Sequence, residues 1–60
     1  MFSYNDLPMG FGMALMKNPK AYKIFADMPE AQQRSIIFGT HSISSKEEMQ
    51  SYVDNIARQS

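Results

Sequence analysis

The sequence predicts an all-α fold, a compact bundle of four short helices, and three observations carry that prediction. Pro8, Pro19 and Pro29 recur every ten or eleven residues, each shortly ahead of a helical pattern. Proline suits the first turn of a helix because the N–H it lacks would be unpaired there anyway. A fourth start signal lies in "SSKEEM", where a serine is followed three residues later by a glutamate, the pattern of a capping box. Between these signals the apolar residues repeat at the three- and four-residue spacing of a buried helical stripe.

The first helix is expected over 8–17, with Asp6 or Leu7 at its cap. Gly10 and Gly12 each weaken it by about 1 kcal/mol relative to alanine, so burial or the close approach of another helix has to offset them. Phe11, Ala14 and Leu15 share one face, while Met9, Met13 and Met16 share another. Two apolar faces predict a central position in the bundle. The second helix is expected over 19–27, with Asn18 as N-cap and Pro19 at the first helical position. Ala21, Ile24, Phe25 and Met28 form its buried stripe, and Lys17, Lys20 and Lys23 lie away from it.

The third helix is expected over 29–39, with Asp27 and Glu30 read as an Asp-x-x-Glu box around Pro29. Ile36, Ile37 and the aliphatic part of Gln33 face inward. Gly39 is a candidate C-terminal cap, the alternative being a helix that runs on to His41. The fourth is expected over 46–57, capped by Ser45 with Glu48, or in the alternative register by Ser44 with Glu47. Both glutamates fall in the first turn, where a carboxylate interacts favourably with the helix dipole. Met49, Tyr52, Val53, Ile56 and Ala57 then complete an amphipathic stripe.

The chain thus reads as one domain over 1–60, with ends that fray at 1–5 and 59–60. About three of the helices form the main core. Phe11, Leu15, Ala21, Phe25, Met28, Ile37, Met49, Val53 and Ile56 are the predicted core residues.

Size and composition narrow the function classes. A chain of 60 residues buries only about 60% of its unfolded surface. It has no deep interior to isolate a catalytic centre, so no enzyme activity and no cofactor are expected. There is no cysteine, hence no disulfide and no thiolate for zinc or nucleophilic attack, which fits a reducing cytoplasm. Six basic residues balance six acidic ones, so the broad positive field that drives nucleic-acid binding is missing. The longest apolar run, "MGFGMALM", spans 9–16, against the roughly 20 residues a membrane span needs. The segment ahead of it has no positive charge and contains Asp6, the wrong flank for a secretion signal.

Four constellations invite a functional reading. His41 beside Ser42, Ser44 and Ser45 has the residue types of nucleophilic catalysis, but a triad also needs an orienting acid and an oxyanion hole on a rigid scaffold. The serines already have a capping role, so His41 is expected to be a partly exposed residue near a helix end. The carboxylates at Asp6, Asp27, Glu30, Glu47, Glu48 and Asp54 follow no compact ligand spacing, and no metal site is expected. Gln32, Gln33 and Arg34, in a helix that follows a short connection, have the residue types of a recognition helix reading base edges over 30–38. The lysines at 17, 20 and 23 are its candidate phosphate contacts.

The last constellation is methionine, six in the chain. Methionine adapts to irregular surfaces and is over-used at promiscuous binding sites. Met9, Met13 and Met16 with Phe11 either fill the core of a glycine-containing bundle or form an apolar surface for a partner helix or peptide.

The motifs "LPMGFGMAL" and "HSISSKEEM", in this order and over the whole chain, resemble a set of small helical bacterial proteins of gut Firmicutes such as clostridia, which implies the same architecture and no particular activity. More distantly, the order "AL…NP…A…F…M…R…I…S…E" is similar to the C-terminal helical segment of the YdeI/OmdA group, linked by name to bacteriocin protection. That segment carries an arginine-rich stretch in its last helix, where this chain has "SSKEEMQSYVDNIA" and only Arg58 at the end.

The function expected from the residues is that of a small cytoplasmic, non-enzymatic interaction module. It docks a protein partner or a second copy of itself through Met9, Phe11, Met13 and Met16. The alternative is a small DNA-binding domain using Gln32, Gln33 and Arg34.

Overall fold

The structure, a computed structural model, describes residues 8–58, with Met9 described by its backbone alone. Four helices follow one another: α1 (Met9–Met16), α2 (Pro19–Asp27), α3 (Glu30–Gly39) and α4 (Lys46–Arg58), with a 3₁₀ turn at Thr40–Ser42 between the last two. The expected ranges hold to within one residue at each end. The expected cap at Asp6 or Leu7 and the frayed ends at 1–5 and 59–60 lie outside the described residues.

The three prolines play two different roles. Pro19 occupies the first position of α2, behind Asn18, whose side-chain oxygen accepts from the Ala21 N–H. Pro8 and Pro29 instead occupy the N-cap position itself, with extended ψ of 140° and 150°. Their carbonyls start the next helix: Pro8 O accepts from Gly12 N–H and Pro29 O from Gln33 N–H, each at 3.0 Å. The Asp-x-x-Glu box around Pro29 therefore does not form. Asp27 is the last residue of α2, Pro29 takes the capping place, and among the described residues no side chain caps α3. Glu30 pairs instead with Arg34 one turn on, at 2.9 Å.

The end of α3 combines the two expected alternatives. The α-helix stops at Gly39 and the chain continues as a 3₁₀ turn through Ser42. Gly39 has φ −62°, so it is not a left-handed cap. Three consecutive side chains serve the terminal carbonyls instead. Thr40 Oγ1 donates to Ile37 O at 2.6 Å and Ser42 Oγ to Gly39 O at 3.1 Å, while His41 Nδ1 lies 2.9 Å from Phe38 O. A carbonyl only accepts, so Nδ1 of His41 carries the ring proton. At α4 the Ser45 register holds: Glu48 N–H donates to Ser45 Oγ at 3.1 Å, and both Ser44 and Ser45 hydroxyls donate to Glu48 Oε1.

Three helices build the core. Phe11, Ala14 and Leu15 of α1, Ala21 and Phe25 of α2, and Val53 and Ile56 of α4 are buried together. Phe11 is the centre, with its ring edge-on to Phe25 at 5.2 Å and to Tyr52 at 6.3 Å. Burying one such side chain contributes about 1.5–3 kcal/mol. Met28, Ile37 and Met49, predicted as core, are half-buried and pack against its edge. Met49 borders open space beside Gly10, and α3, which carries Ile37, supplies no fully buried apolar side chain. Its buried residue is Gln33, whose amide donates to Phe25 O at 2.8 Å and more weakly to Ala26 O at 3.5 Å. The helix is pinned by a polar bond to the end of α2.

Candidate functional site

The expected docking residues divide sharply. Phe11 has no exposed surface, so it cannot meet a partner, and its assignment to the docking face is corrected here. It lies on the Ala14–Leu15 side of α1, and that side is the one the other helices cover. Met13 is 52% exposed and Met16 66% exposed, so these two methionines are surface rather than core. The side chain of Met9 lies outside the described residues.

Met13 stands at a groove between α1 and the entry to α4, with a volume of about 310 Å³. Helical spacing makes its first wall: Gly10, Met13 and Lys17 lie one above another over about two turns. Ile43 of the connecting loop and Met49 of α4 make the second wall. Gly10 leaves room on its side, so the Met49 methyl comes within 3.8 Å of the place a Cβ would occupy. Lys17 and Lys46 line the groove, and the same two lysines border an adjoining shallower hollow with Glu47 and Asp54.

The opposing helices are held at this separation by a polar chain. Gln50 Nε2 donates to Ala14 O at 3.3 Å and to Asp54 Oδ1 at 3.0 Å, and Asn18 Nδ2 donates to the same carboxylate oxygen at 2.9 Å. The Asn18 bond, followed by the Gln50 bond, holds the Asp54 carboxyl below the ordinary value of 3.8. The groove wall is thus fixed by bonds from α4 to α1 and to the turn that follows it.

The other candidate residues do not assemble. Gln32 and Arg34 are exposed, but Arg34 is bridged to Glu30. Gln33 is buried with its amide committed to Phe25 O, which removes it from any base-reading face. The signal was present in the sequence, since Gln33 shares a helical face with Ile36 and Ile37. His41 is exposed, with its ring 5.4 Å from that of Phe38. The hydroxyls of Ser42, Ser44 and Ser45 are spent on Gly39 O and Glu48. Among the described residues no three metal-ligating side chains come together, and no helix is long and apolar enough to cross a membrane.

Sequence reasoning placed Met13 and Met16 on a candidate surface but missed the far wall of the groove. Met49 falls on the same periodic stripe as Val53 and Ile56, so its spacing reads as core. Nothing local to Ile43 or Lys46 signals that they face Met13. Gly10 and Lys17 were legible, being three residues before and four after Met13 on the same helix. No protein-family model, curated protein or solved structure matches the chain.

Proposed function

We propose that the chain is a small, non-enzymatic interaction module of the cytoplasm, which docks a protein partner in the groove between Met13 and Met49, with Met16 extending the contact surface. One observation carries this reading. The core is complete without Met13, yet Met13 stands half-exposed against a second methionine across an open apolar groove. A partner helix or strand gains by covering such a surface, because burial of apolar area is roughly proportional in free energy to the area removed from water. The cysteine-free composition supports the cytoplasmic setting.

The test is selection of short helical peptides from a random library on the immobilised full chain. Recovered peptides should shift the Met13 and Met49 methyl resonances and lose affinity for Met13→Asp. That variant should keep its helical circular dichroism and its stability to within about 0.5 kcal/mol, the usual range for an exposed position. Peptides that bind Met13→Asp as well as the parent chain would place docking elsewhere.

A further inference from the structure

We propose that α3 and the 3₁₀ turn behind it form a flap, residues 30–42, that opens as one unit on a three-helix core that stays folded. The inference is independent of what docks in the groove. Burial is its first ground. Among the described residues the seven buried apolar side chains all belong to α1, α2 and α4. α3 adds the half-buried Ile36 and Ile37 at the edge of that core, while Glu30, Ala31, Gln32, Arg34, Ser35 and Phe38 are exposed. Apolar burial is the dominant favourable term in folding, so α3 is the helix that the core holds least firmly.

The hydrogen bonds set the limits of the unit. Thr40 is buried, but its hydroxyl bonds to Ile37 O, and the side chains of His41 and Ser42 meet Phe38 O and Gly39 O. These three contacts tie the turn to α3 and not to the core. Gln33 and Tyr52 fasten the unit to its neighbours: the Gln33 amide donates to Phe25 O at 2.8 Å, and the Tyr52 hydroxyl donates to Ile36 O at 2.6 Å. On opening, both bonds are exchanged for bonds to water, so each resists it only modestly.

Extended residues flank the unit on both sides. Met28 and Pro29 have ψ of 151° and 150°, and Ile43 has ψ of 127°. The flap turns about these joints without breaking a continuous helix. α3 has ten residues, and a helix that short is marginal in water by itself. Once detached it melts, and its amides open together. The groove changes with it. Ile43 N–H donates to Thr40 O at 3.1 Å, and Ile43 lines the groove. Opening therefore withdraws the Ile43 wall and leaves those of Met13 and Met49.

The experiment is native-state hydrogen exchange of the full chain, followed amide by amide by NMR over a series of low urea concentrations. The amides of residues 34–39, corrected for intrinsic rates, should exchange more than about tenfold faster than those of Leu15, Phe25 and Val53. Their opening should also depend less on urea, because it exposes less surface than global unfolding. The Ile43 amide should follow residues 34–39. Leu15→Val weakens the core in the closed and the open form alike. It should speed exchange at Phe25 and Val53 about fivefold and leave residues 34–39 unchanged. Tyr52→Phe loosens the closed form alone. It should speed both sets by one common factor of about 2 to 12, that of a single lost hydrogen bond.

One rate and one urea slope for both sets, or a Leu15→Val variant that speeds both alike, would make the four helices one cooperative unit and overturn the flap. Exchange that slows steadily from residue 39 back to 34 would be fraying from one end and would overturn it too. Exchange at Ile43 faster than at residues 34–39 would overturn the link to the groove wall.

Discussion

Asn18 and Asp54, 36 residues apart in sequence, share a hydrogen bond of 2.9 Å, and the same Asn18 side chain caps α2 through its other atom. One amide therefore performs a local and a long-range task. Its oxygen accepts from Ala21 N–H at 3.1 Å, which starts α2. Its nitrogen donates to α4, which ties the turn between α1 and α2 to the helix that lies across both. Asn18→Ala should cost about 1–2 kcal/mol through the lost cap alone, with the lost tie added to it.

The same bond gives stability a pH dependence. Asp54 has a folded value below its ordinary 3.8. Such a group contributes stability that is present above the unfolded value and lost as pH falls through the folded one. Denaturant midpoints should therefore fall on acidification below about pH 4 in the parent chain. Asn18→Asp keeps an oxygen for the cap but sets a second carboxylate against Asp54. One proton of that pair is then held more tightly than in the unfolded chain. The variant should be destabilised at neutral pH and recover relative to the parent chain as pH falls. Parallel acid profiles for the two proteins would show that the contact carries no weight.

Gln33 supplies the next prediction. It is the buried polar residue of α3, and its bond to Phe25 O is 2.8 Å long. Gln33→Ala should cost about 1–3 kcal/mol by chemical denaturation, the sum of a lost hydrogen bond and lost packing. Gln32→Ala, one residue away and exposed, should stay within about 0.5 kcal/mol of the parent chain. Equal effects at the two positions would mean that α3 is not held to α2 by this side chain.

The contrast between these neighbours shows where the sequence was legible and where it was not. The four helices were readable because their signals are local: Asn18-Pro19 and Ser45-x-x-Glu48 each act within one turn. The three-helix core was readable from periodicity alone, because Phe11, Leu15, Phe25, Val53 and Ile56 sit on narrow stripes. The cap of α3 was misread because two local rules competed for one place, and Pro29 took the N-cap that Asp27 was expected to fill. The groove was only half readable. Its α1 wall is a helical face, but the opposite wall depends on how α4 crosses α1, and no local pattern encodes a crossing. Phe11 was assigned to both core and surface because a helix apolar on two faces does not say which face its neighbours cover.

Gly10 links stability to the proposed docking. It lies in the first turn of α1, and among the described residues a Cβ there would meet the Met49 methyl at 3.8 Å, an ordinary contact. Gly10→Ala should therefore stabilise the chain by up to about 1 kcal/mol, through helix propensity and a less flexible unfolded state. The added methyl also fills part of the groove wall. Peptide affinity at Met13 and Met49 should fall while the melting temperature rises. Unchanged affinity in the stabilised variant would mean that the peptide does not reach this part of the groove.

Gly39 has the opposite constraint, and Tyr52 is its cause. The backbone at Gly39 is helical, so conformation alone would admit any residue. A Cβ there, however, would overlap the Tyr52 hydroxyl and lie 3.3 Å from the ring carbon that bears it. The hydroxyl cannot move away freely, because it donates to Ile36 O at 2.6 Å. Gly39→Ala should therefore destabilise by about 1–3 kcal/mol, as overpacking does, despite the better helix propensity of alanine. Tyr52→Phe should cost about 0.5–1.5 kcal/mol for the lost hydrogen bond. The two changes should be strongly non-additive, since removing the hydroxyl removes most of the clash. Gly39→Ala should be nearly neutral in the Tyr52→Phe background, a coupling that a double-mutant cycle reads directly. The same contact has a pH signature. Burial raises the Tyr52 phenol above its ordinary 10.0, so its contribution to stability is fully present below that value and is lost as pH rises through the folded one. Alkaline unfolding should thus be less steep in Tyr52→Phe than in the parent chain. Additive single changes would show instead that α3 and α4 are free to slide past each other at this crossing.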